Sequence, residues 1–415
     1  MKRRAFLGVL GLSALSTACV RWWPDDGLWH PCLTPMLPPN LTQHPWLRAA
    51  WEEVDPAACW DMHAHLLGVG DQGSGAWVNP AMRSAWHPMQ SAQFRFYLNA
   101  ACVEDNGAAD VAYVTRLRAL CEGMPAGVKM MLLAFDYRYD ESGLRREDLS
   151  AFHIPNAYAA SVAAAFPARF EWIASLHPYR ADCVEALEWA VQHGARAVKW
   201  LPPAMGMDPA SPLCDRFYAA LAHYDLPLLS HAGDEYAVYG ASVRELGNPL
   251  RLRRALEHGV RVIVAHCASM GEGLDLDRGP DGPRVENFAL FTRLMDEPRY
   301  HGRLFGDISA ITQINRAGPY LRTLLQRDDW HDRLLNGSDY PLPGVLPLFS
   351  LRGLALDGFI GEAEAAWLSQ LRLHHPLLFD WVLKRRLAAD GRRFAPAVFE
   401  TRRVFDARWR DSHMR

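Results

Sequence analysis

Eight short apolar segments recur along the chain, each ending in a polar or glycine-bearing turn. Between several of them lie amphipathic stretches with the apolar spacing of helices that cover a core. Nearly continuous apolar strands that alternate with helices predict a parallel sheet covered on both faces. The apolar segments span residues 59–65, 128–135, 170–176, 195–201, 226–231, 260–266, 303–308 and 333–339, and the predicted helices include 182–194, 213–224 and 250–259.

Eight such strands predict an α/β protein with a closed (β/α)8 barrel of the TIM type; an open doubly wound sheet is the alternative. The predicted barrel occupies residues 51–390, and residues 391–415 form a C-terminal tail. Within the barrel domain, a helix that starts at Pro376 is predicted over 376–386, on the outside of the barrel. Residues 19–50 are rich in Pro and Trp, which disfavours helices and central strands and predicts a tether on the barrel surface.

The chain begins with the pattern of an export signal, over residues 1–18. Basic residues at 2–4 precede a 14-residue uncharged stretch, shorter than the ~20 residues that a membrane-spanning helix needs. The RRAFL sequence at 3–7 resembles the twin-arginine core of Tat signals, and LSTAC at 15–19 resembles a lipobox. We therefore predict export to the periplasm by the Tat route, with a lipid on Cys19 attaching the protein to a membrane. Cleavage without lipidation is the alternative.

Composition narrows the class of protein. The chain has 415 residues, of which 50% are hydrophobic and 22% charged, so it is globular rather than disordered. Its 44 basic and 47 acidic residues give a net charge of −3, which gives no basic surface for nucleic acid. Eight cysteines in a chain of this length do not make a disulfide scaffold. These features favour a protein that acts on a small-molecule substrate.

Two histidines end the first apolar segment. His63 and His65 are two residues apart, so in a strand both side chains face the same side. In a barrel that side is the axis, where two imidazoles form good ligands for Zn²⁺ or a similar ion. The alternative is a pair of hydrogen-bonded histidines in the core.

Four more polar residues lie in or at the ends of later apolar segments. Lys199 lies in the fourth segment, where a buried lysine is costly unless it is paired. It is interpreted as a carbamylated bridge between two metals, as an ammonium group that binds an anion, or as a side chain that reaches solvent at the strand end. His231 and His266 end the fifth and sixth segments, and Asp339 ends the eighth. Each of these three alone could be a core or turn residue, but all six residues together indicate a common site.

In this order, the six residues resemble the ligand set of the amidohydrolase superfamily, in particular amidohydrolase family 2. The resemblance covers roughly residues 55–390 and includes SLHP at 175–178, GARAVK at 194–199 and GSDYP at 337–341. It implies a distorted barrel that binds one or two divalent metal ions, with zinc the first expectation, at the C-terminal ends of the strands.

The resemblance implies two forms of the metal site. In the binuclear form His63, His65 and Asp339 hold one metal, and carbamylated Lys199 bridges it to a second metal on His231 and His266. In the mononuclear form His63, His65, His231 and Asp339 hold a single metal. His266 then polarises the substrate or the water.

The expected chemistry assigns catalytic roles to two of these residues. A metal-activated water attacks the substrate, Asp339 transfers the proton as a general acid and base, and His266 polarises the scissile carbonyl group. His177 and Arg180, at the end of the third segment, are candidates for substrate binding, with a structural role as the alternative. Cys267 is not expected to be a nucleophile, because adjacent strand residues point to opposite faces.

Three functions are compatible with this set of residues. The first is an exported metal-dependent hydrolase that cleaves a carboxylic ester, a lactone or an amide. The second is a non-oxidative decarboxylase with a single metal, which a carboxylate-binding arginine would favour. The third is a catalytically inert binding lipoprotein, although an inert barrel has no physical need for all six metal-type residues.

Overall fold

A computed structural model describes residues 24–238 and 243–413. Its centre is a barrel of eight parallel strands, of which the first three pair in chain order as one set and the last five as another. Parallel bridges between Ala174 and Val198 and between Ala64 and Tyr340 join the two sets. The predicted closed barrel is therefore confirmed, and the open sheet is excluded. The strands are β1 Trp60–His65, β2 Lys129–Leu133, β3 Phe170–Ile173, β4 Val198–Trp200, β5 Leu228–His231, β6 Val262–Ala265, β7 Leu304–Asp307 and β8 Leu334–Leu335.

Helices follow the strands around the outside of the barrel. The predicted amphipathic stretches form the helices Cys183–Gln192, Asp215–His223 and Arg253–Glu257, and the helix predicted over 376–386 spans Pro376–Arg386. In chain order the helices are α1 Pro39–Thr42, α2 Pro45–Ala49, α3 Pro88–Ala100, α4 Ala109–Glu122, α5 Asn156–Ala165, α6 Cys183–Gln192, α7 Pro202–Met205, α8 Asp215–His223, α9 Arg253–Glu257, α10 Asn287–Met295, α11 Pro319–Gln326, α12 Leu351–Leu356, α13 Glu362–His374, α14 Pro376–Arg386, α15 Arg402–Phe405 and α16 Ala407–His413.

Two short antiparallel pairs of strands lie outside the barrel. Trp77–Val78 pairs with Phe152–His153, and Glu272–Leu274 pairs with Arg284–Glu286. Within residues 24–238 and 243–413, no helix is long and apolar enough to cross a membrane. The predicted signal and Cys19 lie outside the described residues.

Side chains alternate across the strands, and this alternation positions the site. Leu229, Ile263 and Phe305 belong to the apolar core inside the barrel, whereas their strand neighbours pack outward against the helices. The next inward positions along β5 and β7 are His231 and Asp307, which are both buried. The lower layer of the barrel is thus apolar, and polar groups occupy the layer at the C-terminal ends of the strands.

The segment before the barrel is more regular than its Pro and Trp content predicts. It contains α1 and α2, each with a proline in its first turn, where the missing N–H is not needed. The expectation that this segment holds no helix is therefore wrong at these two places. A disulfide bond between Cys32 and Cys102 joins it to the residues that follow α3, so the segment is fixed to the barrel surface.

The C-terminal residues close the opposite end of the barrel from the polar layer. Val404 and Phe405 belong to the same inner apolar core as Trp60. Thr401 Oγ1 donates a hydrogen bond to the Trp60 carbonyl group, and the backbone N–H that follows β8 donates one to Val398 O (2.9 Å). These residues form a floor under the apolar layer.

Candidate metal centre

Three side chains meet where β1 ends and where the segment after β8 turns back over the barrel. Asp339 Oδ1 lies 3.1 Å from His65 Nε2 and 3.5 Å from His63 Nε2. One donor atom from each of the three residues lies within 4.8 Å of the other two. His63 and Asp339 are buried, and His65 is partly exposed. Two imidazoles and a carboxylate in this arrangement are a donor set that Zn²⁺ and similar ions accept.

Asp307 fixes the orientation and tautomer of His63. Its Oδ2 lies 2.7 Å from His63 Nδ1, and Ser309 donates to the same carboxylate through its N–H and its hydroxyl group, both at 2.7 Å. A carboxylate only accepts, so the proton of His63 is on Nδ1 and the lone pair is on Nε2. Such carboxylate–histidine pairs orient metal ligands. Asp307 therefore acts as a positioning residue for His63.

His266 and His231 present their Nε2 atoms in the same way. His266 Nδ1 lies 3.2 Å from the Ser309 carbonyl oxygen, and its Nε2 lies 3.8 Å from Asp339 Oδ2. His231 Nδ1 lies 3.4 Å from Glu235 Oε2, and its buried Nε2 has no hydrogen-bond partner among the described residues.

The Nε2 atoms of His63 and His266 thus face the Asp339 carboxylate, and that of His231 has no partner among the described residues. Burial lowers the pKa values of His63, His231 and His266, so these imidazoles are neutral. The pKa of Asp339 lies well below its usual range although burial alone would raise it, and the hydrogen bond from His65 favours the ionised carboxylate. Hydrogen-bond acceptors that face one another in a buried space destabilise the folded protein unless a cation lies between them. The donor set thus fits a divalent metal ion.

Lys199 lies beside this group, with its Nζ 3.3 Å from His63 Nε2. Its side chain is buried in β4. Burial lowers its pKa to about 8, an effect that Asp307, Asp339 and Glu235 oppose. At pH 7 about a tenth of this lysine is therefore an uncharged amine, a far larger share than for a lysine in water. The interpretation that the side chain reaches solvent at the strand end is wrong.

The backbone is strained where two of the polar residues leave their strands. His266, Cys267 and Ala268 follow β6 with φ values of 56°, 52° and 49°, and Asp339 has a φ of 58°. For residues other than glycine this left-handed region costs ~1–2 kcal/mol each. Four such residues around one group of donors indicate that the fold sacrifices stability to place these side chains.

A cavity of about 660 Å³ opens from the metal-binding residues toward solvent. His63, His231, His266 and Asp339 lie among the residues that line it, with many apolar side chains around them. This volume is typical of sites for small molecules. Arg316 also lines the cavity, although sequence patterns do not mark it.

The structure does not bring His177 and Arg180 to this cavity. His177 Nε2 donates to Met205 O at 3.0 Å, and its Nδ1 accepts the Tyr179 N–H at 3.2 Å, so both ring nitrogens have partners. The Arg180 guanidinium group is paired with Asp136 at 3.0 Å and with a second aspartate, Asp182, at 2.8 Å. The alternative interpretation, a structural histidine and arginine, describes what the structure shows.

Cys267 faces away from the cavity, as expected, but for a different reason. It lies beyond the end of β6 in the left-handed turn, and its Sγ atom donates to Asp307 O at 3.3 Å. Burial raises the pKa of its thiol far above the usual value, so no reactive thiolate forms there.

A family model described as Amidohydrolase (Amidohydro_2) matches residues 60–348. The chain belongs to the amidohydrolase family. That match covers more than half of the sequence and contains β1 to β8 together with all six polar residues of the predicted set. The protein is therefore an amidohydrolase-family enzyme with a metal-binding His and Asp site, either a metal-dependent hydrolase or a related lyase or decarboxylase.

Several solved structures resemble this amidohydrolase. An uncharacterized TIM-barrel protein from Bordetella bronchiseptica is 16% identical, with 75% of this chain and 99% of that chain covered and a TM-score of 0.42. A probable 2-pyrone-4,6-dicarboxylic acid hydrolase from Acinetobacter baumannii is 14% identical (74% and 95% covered, TM-score 0.43). A 2,6-dihydroxybenzoate decarboxylase is 13% identical (77% and 98% covered, TM-score 0.40). Among curated proteins, none matches the chain.

Proposed function

We propose that this amidohydrolase is an exported enzyme that hydrolyses a carboxylic ester, a lactone or an amide. The observation that carries the proposal is the convergence of His63, His65 and Asp339 at one end of the barrel, with His266 Nε2 beside them. A hydrolytic site needs a cation-binding donor set, a group that accepts a proton and a cavity for the substrate. The described residues supply these three elements within one end of the barrel.

The residues that would hold a metal ion are His63, His65 and Asp339, with His231 and His266 beside them. A bound divalent cation acidifies a water molecule and polarises the substrate carbonyl group. We assign zinc to the site because imidazole nitrogens predominate among its donors.

Asp339 is positioned to receive a proton from the attacking water. Its Oδ1 faces His65, while its Oδ2 faces His266 Nε2 at 3.8 Å. The low pKa of the carboxyl group means that it is ionised and able to accept at Oδ2, from which the proton passes to the leaving group. His266 is neutral, and Ser309 holds its ring so that Nε2 faces the reaction centre. The apolar cavity wall excludes bulk water from this space.

Lys199 is the residue that distinguishes one metal from two. We propose that its amine becomes carbamylated: the neutral Nζ attacks CO₂, an N–C bond forms, and the nitrogen loses a proton to solvent. The pKa of about 8 supports this step because only the uncharged amine is a nucleophile. The resulting carboxylate would be the bridge to a second metal held by His231 and His266.

A mononuclear decarboxylase is the second candidate. It is favoured by Arg316, a buried arginine on the cavity wall that such a reaction could use to hold a carboxylate.

Elemental analysis tests these alternatives. The mature protein is prepared with bicarbonate and without chelator, and is compared with Lys199→Ala and with Lys129→Ala, a strand lysine paired with Glu171 outside the site. About two metal equivalents that fall to one or none only in Lys199→Ala support the bridged hydrolase, and turnover of esters, lactones and amides is then measured. About one equivalent that survives both changes favours the mononuclear site. A protein that binds no metal overturns the proposal.

Export by the Tat route, with a lipid on Cys19, remains part of the proposal. The disulfide bond between Cys32 and Cys102 supports it, because such bonds persist in oxidising compartments. Cell fractionation with mass spectrometry of the mature N-terminus is the test. A periplasmic, membrane-bound protein that is released by Cys19→Ser supports the proposal, and a cytoplasmic protein that retains residues 1–18 contradicts it.

A further inference from the structure

Arg316 is a buried arginine without a carboxylate partner. It follows β7, in the turns that lead to α11, and 6% of its surface is exposed. Its Nη1 donates to Ser269 Oγ at 3.1 Å, whereas its buried Nε has no hydrogen-bond partner. Within residues 24–238 and 243–413, no carboxylate forms an ion pair with it.

A buried guanidinium group without a carboxylate partner destabilises the folded protein. Burial lowers the pKa of Arg316. Glu235 opposes that effect most, followed by Asp339, Asp307 and Cys267, and none of them forms an ion pair with the guanidinium group. Asp307 and Asp339 already interact with the site histidines, so they are not free to pair with the arginine. An arginine that is buried but unpaired has a strong free-energy preference for an anionic partner.

The arginine is held in place rather than loose. The Arg316 N–H donates to the Gln313 carbonyl group at 2.9 Å, and Ile314 N donates to Leu348 O at 2.9 Å, so the turn is attached to the segment that follows β8. The side chain of Gln313 is also buried and lines the cavity, and its Nε2 is a second donor without a partner among the described residues. Two unsatisfied donors three residues apart therefore lie beside the metal-binding residues.

The remainder of the cavity has the opposite character. Its walls are mainly apolar and aromatic, and they have no other arginine among the described residues. Side chains that represent this wall are Leu67, Phe94, Phe135, Phe152, Val345 and Leu348. Such a surface favours an apolar ligand body by burial.

We propose that the substrate of this site is an amphiphile, with one anionic group bound by Arg316 and Gln313 and a bulky apolar body that fills the cavity. This inference rests on the proposed function, and it names the substrate class. A carboxylate suits the guanidinium fork best, since two parallel N–H···O bonds can form. Molecules with several charges spread over their length are excluded, because their further charges would contact the apolar wall.

Two fluorescent probes with the same apolar body separate the contributions. Anilinonaphthalene sulfonate carries one anionic group, and phenylnaphthylamine is its neutral counterpart. Binding of both probes is titrated with the metal-loaded full-length protein, with Arg316→Gln, Arg316→Lys and a surface control, Arg278→Gln, at a position that is 74% exposed. Fluorescence reports both affinities, and phenylnaphthylamine shows directly whether each variant keeps its cavity.

The expected result is a loss of affinity for the anionic probe alone. Arg316→Gln should weaken sulfonate binding by ~10- to 100-fold in Kd, the range for a charge-assisted hydrogen bond, and leave phenylnaphthylamine binding unchanged. Arg316→Lys should retain part of the affinity, and Arg278→Gln should retain all of it. Equal losses for both probes would mean that Arg316 only shapes the cavity, and an unchanged sulfonate affinity would mean that it binds no anion. Either result overturns the proposal.

This experiment is independent of turnover. If Arg316→Gln shows the selective loss but no ester, lactone or amide is hydrolysed, the proposed reaction fails and the anion site stands. If hydrolysis is observed and both probes bind Arg316→Gln as they bind the wild type, the substrate class fails and the reaction stands.

Discussion

Replacing Asp307 with Asn tests the tautomer on which the metal-binding nitrogen of His63 depends. The carboxylate accepts three hydrogen bonds, one from His63 Nδ1 and two from Ser309. An amide has one oxygen and one NH₂ group, so it cannot accept all three. If the NH₂ group faces His63, that ring must move its proton to Nε2, which removes the lone pair that would bind the metal. If the NH₂ group faces the Ser309 N–H instead, two donors face each other in a buried space.

Either orientation has a definite free-energy cost. An unsatisfied buried donor costs ~1–3 kcal/mol, and the loss of a carboxylate behind a metal ligand lowers metal affinity by ~10- to 100-fold. Expressed as free energy, that loss is ~1.4–2.7 kcal/mol. We therefore expect Asp307→Asn to fold and to bind zinc ~10- to 100-fold more weakly than the wild type.

The assay is competition for zinc against a chromophoric chelator, together with nitrogen NMR of the histidine rings. Asp182→Asn is the control, because Asp182 is exposed and lies outside the cavity. A variant with wild-type zinc affinity and an unchanged His63 tautomer would refute the role assigned to Asp307.

Three further predictions concern the stability of the fold and the position of β1. Cys102→Ser removes the disulfide bond to Cys32, which closes a loop with a sequence separation of 70. The variant should have a free energy of unfolding ~4 kcal/mol lower in urea titrations. A reductant should have the same effect on the wild type. The pKa of His375 is lowered to about 3 by burial, so the unfolded chain binds the proton first and stability falls as the pH drops from 6.5 toward 3. His375→Asn keeps an acceptor for the helix N-terminus, and it should reduce the dependence of the free energy of unfolding on pH in this range by ~1.4 kcal/mol per pH unit. Equal slopes of the unfolding free energy against pH in both proteins would contradict this prediction. A Cβ at Gly337 would lie 2.5 Å from His63 Cβ and 2.9 Å from its backbone N. Gly337→Ala should therefore displace β1 and reduce zinc binding. Unchanged zinc binding would contradict this prediction and show that β1 adapts to the added methyl group.

The barrel and its inward polar layer could be predicted because they depend on local periodicity. Lys199 and His231 point inward because each lies two residues after a residue of the inner core, Ala197 and Leu229. The same rule is incomplete in β1, where the register shifts between Asp61 and Ala64. Such an irregularity has no signal in an alternating pattern.

The substrate end of the site could not be predicted because it is built from loops. Arg180 follows the third predicted strand and so attracts attention in the sequence, but Asp136 from another segment and the nearby Asp182 pair with it. Arg316 lies nine residues after Asp307 in a non-periodic turn, and only the three-dimensional structure shows that it has no carboxylate partner among the described residues. Glu235 has the sequence spacing from His231 that would place it one turn away in a helix, but the segment between them is not helical. Its position beside the imidazole therefore depends on the loop alone.

The C-terminal floor of the barrel also determines when the protein can finish folding. Val404 and Phe405 are synthesised after all eight strands of the barrel, whereas Trp60, which they help to bury, belongs to the first strand. Until they emerge from the ribosome, the growing chain exposes the apolar interior of the barrel at the end opposite the metal centre. This core is therefore completed after the strands are in place, and truncations that remove Val404 and Phe405 should expose a surface that favours aggregation.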